Sequence, residues 1–175
     1  MSITLSAASI PVFTRSLEAL DAILVKAAAH SEAKKIDAAI LCSTRLYPDM
    51  FPFAKQVQLT TDFAKNGTAR LLGVDPPRFE DTEKNLVELQ GRIKKTLDYL
   101  DQVDLKALDA RAGSEVVFPL GPNSKGKMSA EDYLLHYALP NFYFHLTTAY
   151  AVLRHCGVEI GKRDFIGIPP RLTVL

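Results

Sequence analysis

Apolar residues recur at spacings of three and four along most of this chain, the mark of helices that bury one face. Leu17, Leu20, Ile23, Leu24 and Ala27 form the first stripe and predict a helix over about residues 4–29. Pro11 falls in its first turns, where the missing N–H enforces a kink or an early break. Residues 38–41 suggest a short connecting helix that ends before Pro48. A second main helix then begins near Asp49, with Met50, Ala54, Val57, Thr61 and Ala64 inward. Asn66 and Gly67 end or interrupt it, and residues 69–72 add a turn before Gly73 and the Pro76, Pro77 pair. The third helix, about residues 80–102, sets Leu86, Leu89, Ile93, Leu97 and Leu100 on one face, with Thr82 in its cap region. Over 103–127 glycines and prolines break the pattern; residues 115–118 suit a strand and a short hairpin fits there. The fourth helix opens at Ser129, whose cap Asp132 completes, and runs to about Gly157 before an irregular tail, 158–175.

Four long helices with one long crossover between the third and fourth specify an all-α fold, a four-helix bundle, as a single domain over residues 1–175. A chain of 175 residues buries about 70% of its unfolded surface, enough for a core without staples. With 21 basic against 20 acidic side chains there is no electrostatic reason to expect a nucleic acid or an anionic membrane as partner. No window reaches the ~18 apolar residues of a membrane span, and the N-terminal residues lack a secretory pattern. Cys42 and Cys156 belong to no CxxC pair and read as free thiols of a cytoplasmic protein.

The segments Leu46-Tyr47-Pro48-Asp49-Met50, Pro52-Phe53-Ala54 and Gln56-Val57 carry a further signal. So do Pro140-Asn141-Phe142-Tyr143-Phe144-His145, Ala149-Tyr150, Leu153-Arg154 and the tail Gly161-Lys162-Arg163-Asp164-Phe165. Together they resemble a bacterial branch of the DinB/YfiT-like four-helix bundles, a domain of unknown function numbered nineteen-ninety-three. The wider superfamily implies a three-histidine metal site, one ligand on the second helix and two spaced i, i+4 on the fourth. His145 matches the second fourth-helix ligand, but its i−4 partner is Asn141. The second helix offers only Gln56, Gln58 or Thr60 where a histidine is needed. The resemblance therefore implies a degenerate metal site. No cofactor is expected, and zinc, nickel or iron at His145 is the alternative.

The residues themselves point to one polar stripe inside the core. Asn141, His145 and Thr148, with Tyr143 beside them, are expected to meet Asp49, Gln56 and Thr60, which lie at i, i+7 and i+11 on the second helix. Such a constellation binds a polar small molecule or supplies a general base; otherwise its members satisfy one another and fix helix register. His136 and His145 are nine residues apart, about 900° of ideal helix, and so face opposite ways. Pro140 withholds a donor from the carbonyl of His136 and predicts a kink there, and His155 suits the negative end of the helix dipole. Phe142, Tyr143, Phe144 and Tyr150 line a cavity or fill the core. Because consecutive aromatics cannot all face one interior, a homodimer is expected. The glycine-rich turns lack the order of a phosphate loop. Three functions stay open: a small-molecule-binding or stress-related accessory protein, a metal-dependent hydrolase or thiol transferase, and a structural dimerisation module.

Overall fold

A computed structural model describes residues 3–169 and Thr173. Helix α1 (Leu5–Lys34) is capped by the Thr4 hydroxyl, which accepts from the Ala7 N–H, and it outruns its expected end. Pro11 does not break it. The carbonyl that loses its partner belongs to Ala7, and both residues lie on the exposed face, where no buried group is left unpaired. Asp37 caps the short α2 (Ala38–Ser43).

Helix α3 (Phe53–Leu72) starts four residues later than its apolar stripe suggests. Pro52 disfavours helical dihedrals at Phe51, so the segment before it folds as a turn, tied down where the Phe53 N–H donates to the Thr44 carbonyl. Asn66 and Gly67 do not interrupt α3. A Cβ at Gly67 would lie 3.5 Å from the Ala138 Cβ, an ordinary van der Waals contact. Gly73 ends the helix at φ 76°, a left-handed conformation that favours glycine.

Helix α4 (Leu86–Asp101) is shorter at its start than expected and is capped by Asn85, not Thr82; the Asn85 Oδ1 accepts from the Glu88 N–H at 2.9 Å. A short α5 (Leu105–Asp109), capped by Asp104, occupies part of the region read as irregular. The expected hairpin follows: β1 (Glu115–Pro119) pairs antiparallel with β2 (Lys125–Ser129), Val117 opposite Lys127. Val116 and Phe118 point inward.

The last long run is helical throughout but not uniformly wound. Ser129 caps α6 (Ala130–Asp132), a π-helical stretch spans Tyr133–Ala138, and α7 (Leu139–His155) completes it. The Leu139 N–H reaches five residues back to the Leu134 carbonyl. Pro140, next in line, has no N–H to offer, and the wider turn accommodates that defect. Helix α8 (Lys162–Ile166) lies in the tail expected to be irregular; residues 170–172, 174 and 175 of that tail lie outside the described residues.

Helix α3 packs on α7 and on α4, and α1 packs on α4 and α7. Between them lies an apolar cluster that includes Phe13, Phe53, Tyr133 and Phe142, all fully buried. The Phe13 and Phe142 rings meet edge to face at 4.9 Å. No helix among the described residues is long and apolar enough to cross a membrane.

Candidate functional site

Helix α3 carries polar side chains on three sides, and each side meets different surroundings. Toward α7, Gln56 faces His145, which is only 8% exposed. Their contact, His145 Nδ1 to Gln56 Oε1, is 2.8 Å. Gln56 spends its amide donor on the Phe51 carbonyl at 3.2 Å, so its Oε1 is the acceptor and the imidazole carries its proton on Nδ1. That leaves Nε2 with the lone pair. Burial, reinforced by the positive charge of Lys55, pulls the pKa of His145 from 6.5 to about 4. The ring is neutral at pH 7 and stacks on Phe63 at 5.6 Å, with Phe144 edge-on at 5.2 Å.

The other residues of the expected stripe do not converge on this pair. Asp49 lies in the turn before α3 and is exposed, because the helix does not extend back to it. Thr60 returns its hydroxyl to the Gln56 carbonyl at 2.8 Å, and Thr148 to the Phe144 carbonyl at 2.7 Å. Asn141 donates from Nδ2 to the Tyr137 carbonyl at 2.8 Å, serving the backbone beside Pro140. Tyr143 is half-buried against the edge of Phe142. His136 is exposed near Asp132, away from His145, and His155 is exposed in the last turn of α7.

These donors do not fit a metal ion. One imidazole nitrogen, Nε2, is not engaged by Gln56, its basicity is depressed, and the charge of Lys55 opposes a dication there. Asn141, at i−4 from His145, and Gln56 and Thr60, two of the second-helix candidates, are engaged as described. Among the described residues no group of three or more His, Cys, Asp or Glu side chains is arranged to hold a metal. Cys42 is equally unsuited to thiol chemistry: burial, then Glu88 and Asp37, push its thiol up to about 11.

Toward α4 the same helix meets an ionic network that the periodicity concealed. The Arg92 side chain is 1% exposed and reaches Asp62 at 2.8 Å, Asp81 at 3.0 Å and Glu83 at 3.1 Å. It also donates to the Thr61 hydroxyl at 2.7 Å and the Glu80 carbonyl at 3.1 Å. Buried Lys65 donates to the Pro77 carbonyl at 2.7 Å, and the Phe79 ring receives Lys65 at 4.6 Å and Lys95 at 4.1 Å. This network pins the chain between α3 and α4 and explains why α4 begins only at Leu86. Its sequence signal was a charged residue, Arg92, within the phase of Leu89, Ile93 and Thr96.

A third side of α3 opens into a cleft. Phe63, Asn66 and Arg70 face Pro119 of the hairpin and Tyr137 of the π-helical turn across a cavity of about 200 Å³. Arg70 and Pro119 also border an adjoining cavity of about 480 Å³ that reaches Val117 and Lys125. An aromatic row links this cleft to the buried histidine: Phe118 lies 4.3 Å from Tyr137, Tyr137 6.1 Å from Phe63, and Phe63 5.6 Å from His145. The spacing Phe63, Asn66, Arg70 was readable as one helical face; its neighbours across the crossover were not.

Fold and site together define a helical bundle with one imidazole–amide pair in its interior and an aromatic-walled cleft beside it. The chain belongs to the family described as Domain of unknown function (DUF1993), which matches residues 5–166. It is also similar to a solved structure described as the crystal structure of a DinB family member protein from Shewanella denitrificans at 1.83 Å resolution. The two chains are 37% identical, the match covers 97% of this chain and 96% of that one, and the TM-score is 0.89. No curated protein matches.

Proposed function

We propose that this protein is a small-molecule-binding accessory member of the DinB-like bundles that works without a metal. The Gln56–His145 hydrogen bond carries this reading, because it engages the one histidine at an implied ligand position and leaves a neutral, weakly basic imidazole. On this reading the pair fixes the register of α3 against α7, and the ligand occupies the cleft along α3. A hydrolase or thiol transferase built on Asp49 and Gln56 is disfavoured, since Asp49 is on the surface and Gln56 is committed to His145.

The test is elemental analysis of protein purified without tag or chelator, beside its His145→Ala variant, followed by zinc and nickel titration. No stoichiometric metal, and no saturable uptake that depends on His145, is the expected result. One equivalent lost in the variant would restore the enzyme reading.

The proposal includes a cytoplasmic homodimer. Phe144 is 61% exposed while its neighbour Phe142 is fully buried, and Tyr47 and Phe51, on the segment before α3, are exposed as well. A second copy of the chain is the partner that would cover them. Light scattering is expected to show a dimer that Phe144→Asp converts to monomer; a monomeric wild type would remove this part of the proposal.

A further inference from the structure

We infer that the cleft beside Arg70 binds a small organic monocarboxylate with a flat apolar body, an inference that rests on the ligand-binding reading above and names its ligand class. Arg70 is half-buried at the junction of the two cavities. Its Nη1 donates to the hydroxyl of fully buried Tyr133 at 3.2 Å, which anchors one end of the guanidinium. Among the described residues no carboxylate lies within ion-pairing distance of it. The rest of its fork is therefore available as a donor set that matches a carboxylate in two-pronged geometry.

Asn66 is oriented to help. Its Oδ1 accepts from the Lys65 ammonium at 2.8 Å, so the end that remains is the Nδ2 donor pair, without an acceptor among the described contacts. Four residues on, one turn along the same face, stands Arg70. Phe63, Tyr137 and Pro119 supply apolar walls to the same space. Two donors beside flat apolar surfaces suit an aromatic or similarly planar acid.

The surrounding charges select for a single negative charge. Asp62 borders the smaller cavity but is held by Arg92 and Lys65, at 2.8 and 3.3 Å. Asp75 and Glu115 border the larger one, opposite Lys125, and Glu115 is paired with Lys127 at 2.6 Å. With Asp62 and Glu115 paired and Lys125 in the same cavity as Asp75, the Arg70 guanidinium is the one cation left over, which a monocarboxylate balances and a dianion such as phosphate exceeds.

The experiment is a titration of the full-length protein with benzoate, with neutral benzamide and with inorganic phosphate, followed by amide and side-chain NMR shifts. Saturable benzoate shifts at Asn66, Arg70, Tyr137 and the hairpin are expected. Benzamide, and benzoate on Arg70→Gln, should each bind about tenfold more weakly, as loss of a charge-assisted fork implies. Arg70→Lys keeps the charge and should recover only part of the affinity, and Asn66→Ala provides a second variant that leaves the Tyr133 contact intact. Absence of saturable benzoate binding would overturn the inference, as would equal binding of benzamide, an Arg70→Gln variant that folds and binds like wild type, or tighter binding of phosphate at these residues. Metal at His145 would overturn the metal-free reading alone, since these shifts are read at different residues.

Discussion

The two buried polar faces of α3 solve the same problem by opposite means. Toward α7, Gln56 and His145 meet as neutral groups, one hydrogen bond long, inside an aromatic sleeve. Toward α4, Arg92 keeps its charge and draws in carboxylates from α3 and from the connecting segment. The neutral pair costs little desolvation and locks two helices in register. The ionic cluster carries a larger desolvation cost, offset only while every partner is present, and in return it holds an irregular segment in place.

That contrast is broken most severely at Arg92. Arg92→Leu removes the cation shared by Asp62, Asp81 and Glu83, leaves the 12%-exposed Glu83 without a charged partner, and should cost about 3 kcal/mol or more in chemical denaturation. Faster hydrogen exchange over residues 74–85 should accompany it. A loss confined to a few tenths would mean the connecting segment is held by something else. His145→Ala should cost about 2 kcal/mol, combining an unsatisfied Gln56 acceptor with lost stacking on Phe63. In a double-mutant cycle Gln56→Ala and His145→Ala should couple by about 1 kcal/mol, and independent effects would dissolve the pair as a unit. Gly73→Ala should cost about 1 kcal/mol, because φ is 76° and the Arg111 guanidinium lies 3.1 Å from where the new Cβ would sit.

The two faces also separate by pH. His145 has a folded pKa of about 4 against an ordinary 6.5, so the unfolded chain binds the extra proton in between. Stability from the neutral pair is complete above pH 6.5 and declines as the pH falls toward 4. Asp81 works in a lower window. Burial raises its pKa, but the hydrogen bond and charge of Lys55, with Arg92, outweigh burial and set it below 3.8, so its contribution is lost only beneath that value. Melting temperatures of wild type and His145→Ala should therefore converge as the pH drops from 6.5 to 4, with the ionic network failing later. Parallel curves would contradict the assigned pKa.

Much of this molecule was legible in its residues, and the failures have physical reasons. Helical periodicity located α1, α3, α4 and the final run, and glycines and prolines marked the hairpin, because burial on one face leaves a phase in the sequence. Family resemblance and phase together pointed to His145, and placed Gln56 among several candidates on the second helix that included Gln58, Thr60 and Asp49. Asp49 was misplaced because its spacing is right only if the helix runs through Pro52. The start of α4 was misplaced because residues 80–85 have helical composition, while a tertiary network draws Asp81 and Glu83 into another conformation. The cleft at Arg70 joins residues more than sixty positions apart across the crossover, and nothing local in the chain announces such a meeting.

The state of the His145 ring tests the central claim most directly, and nitrogen-15 imidazole spectra taken across pH, with and without one equivalent of zinc, read it. The expected result is a neutral ring protonated on Nδ1, with no titration until about pH 4 and no change on adding zinc. A midpoint near 6.5, or a zinc-dependent shift of the Nε2 resonance at one equivalent, would contradict it.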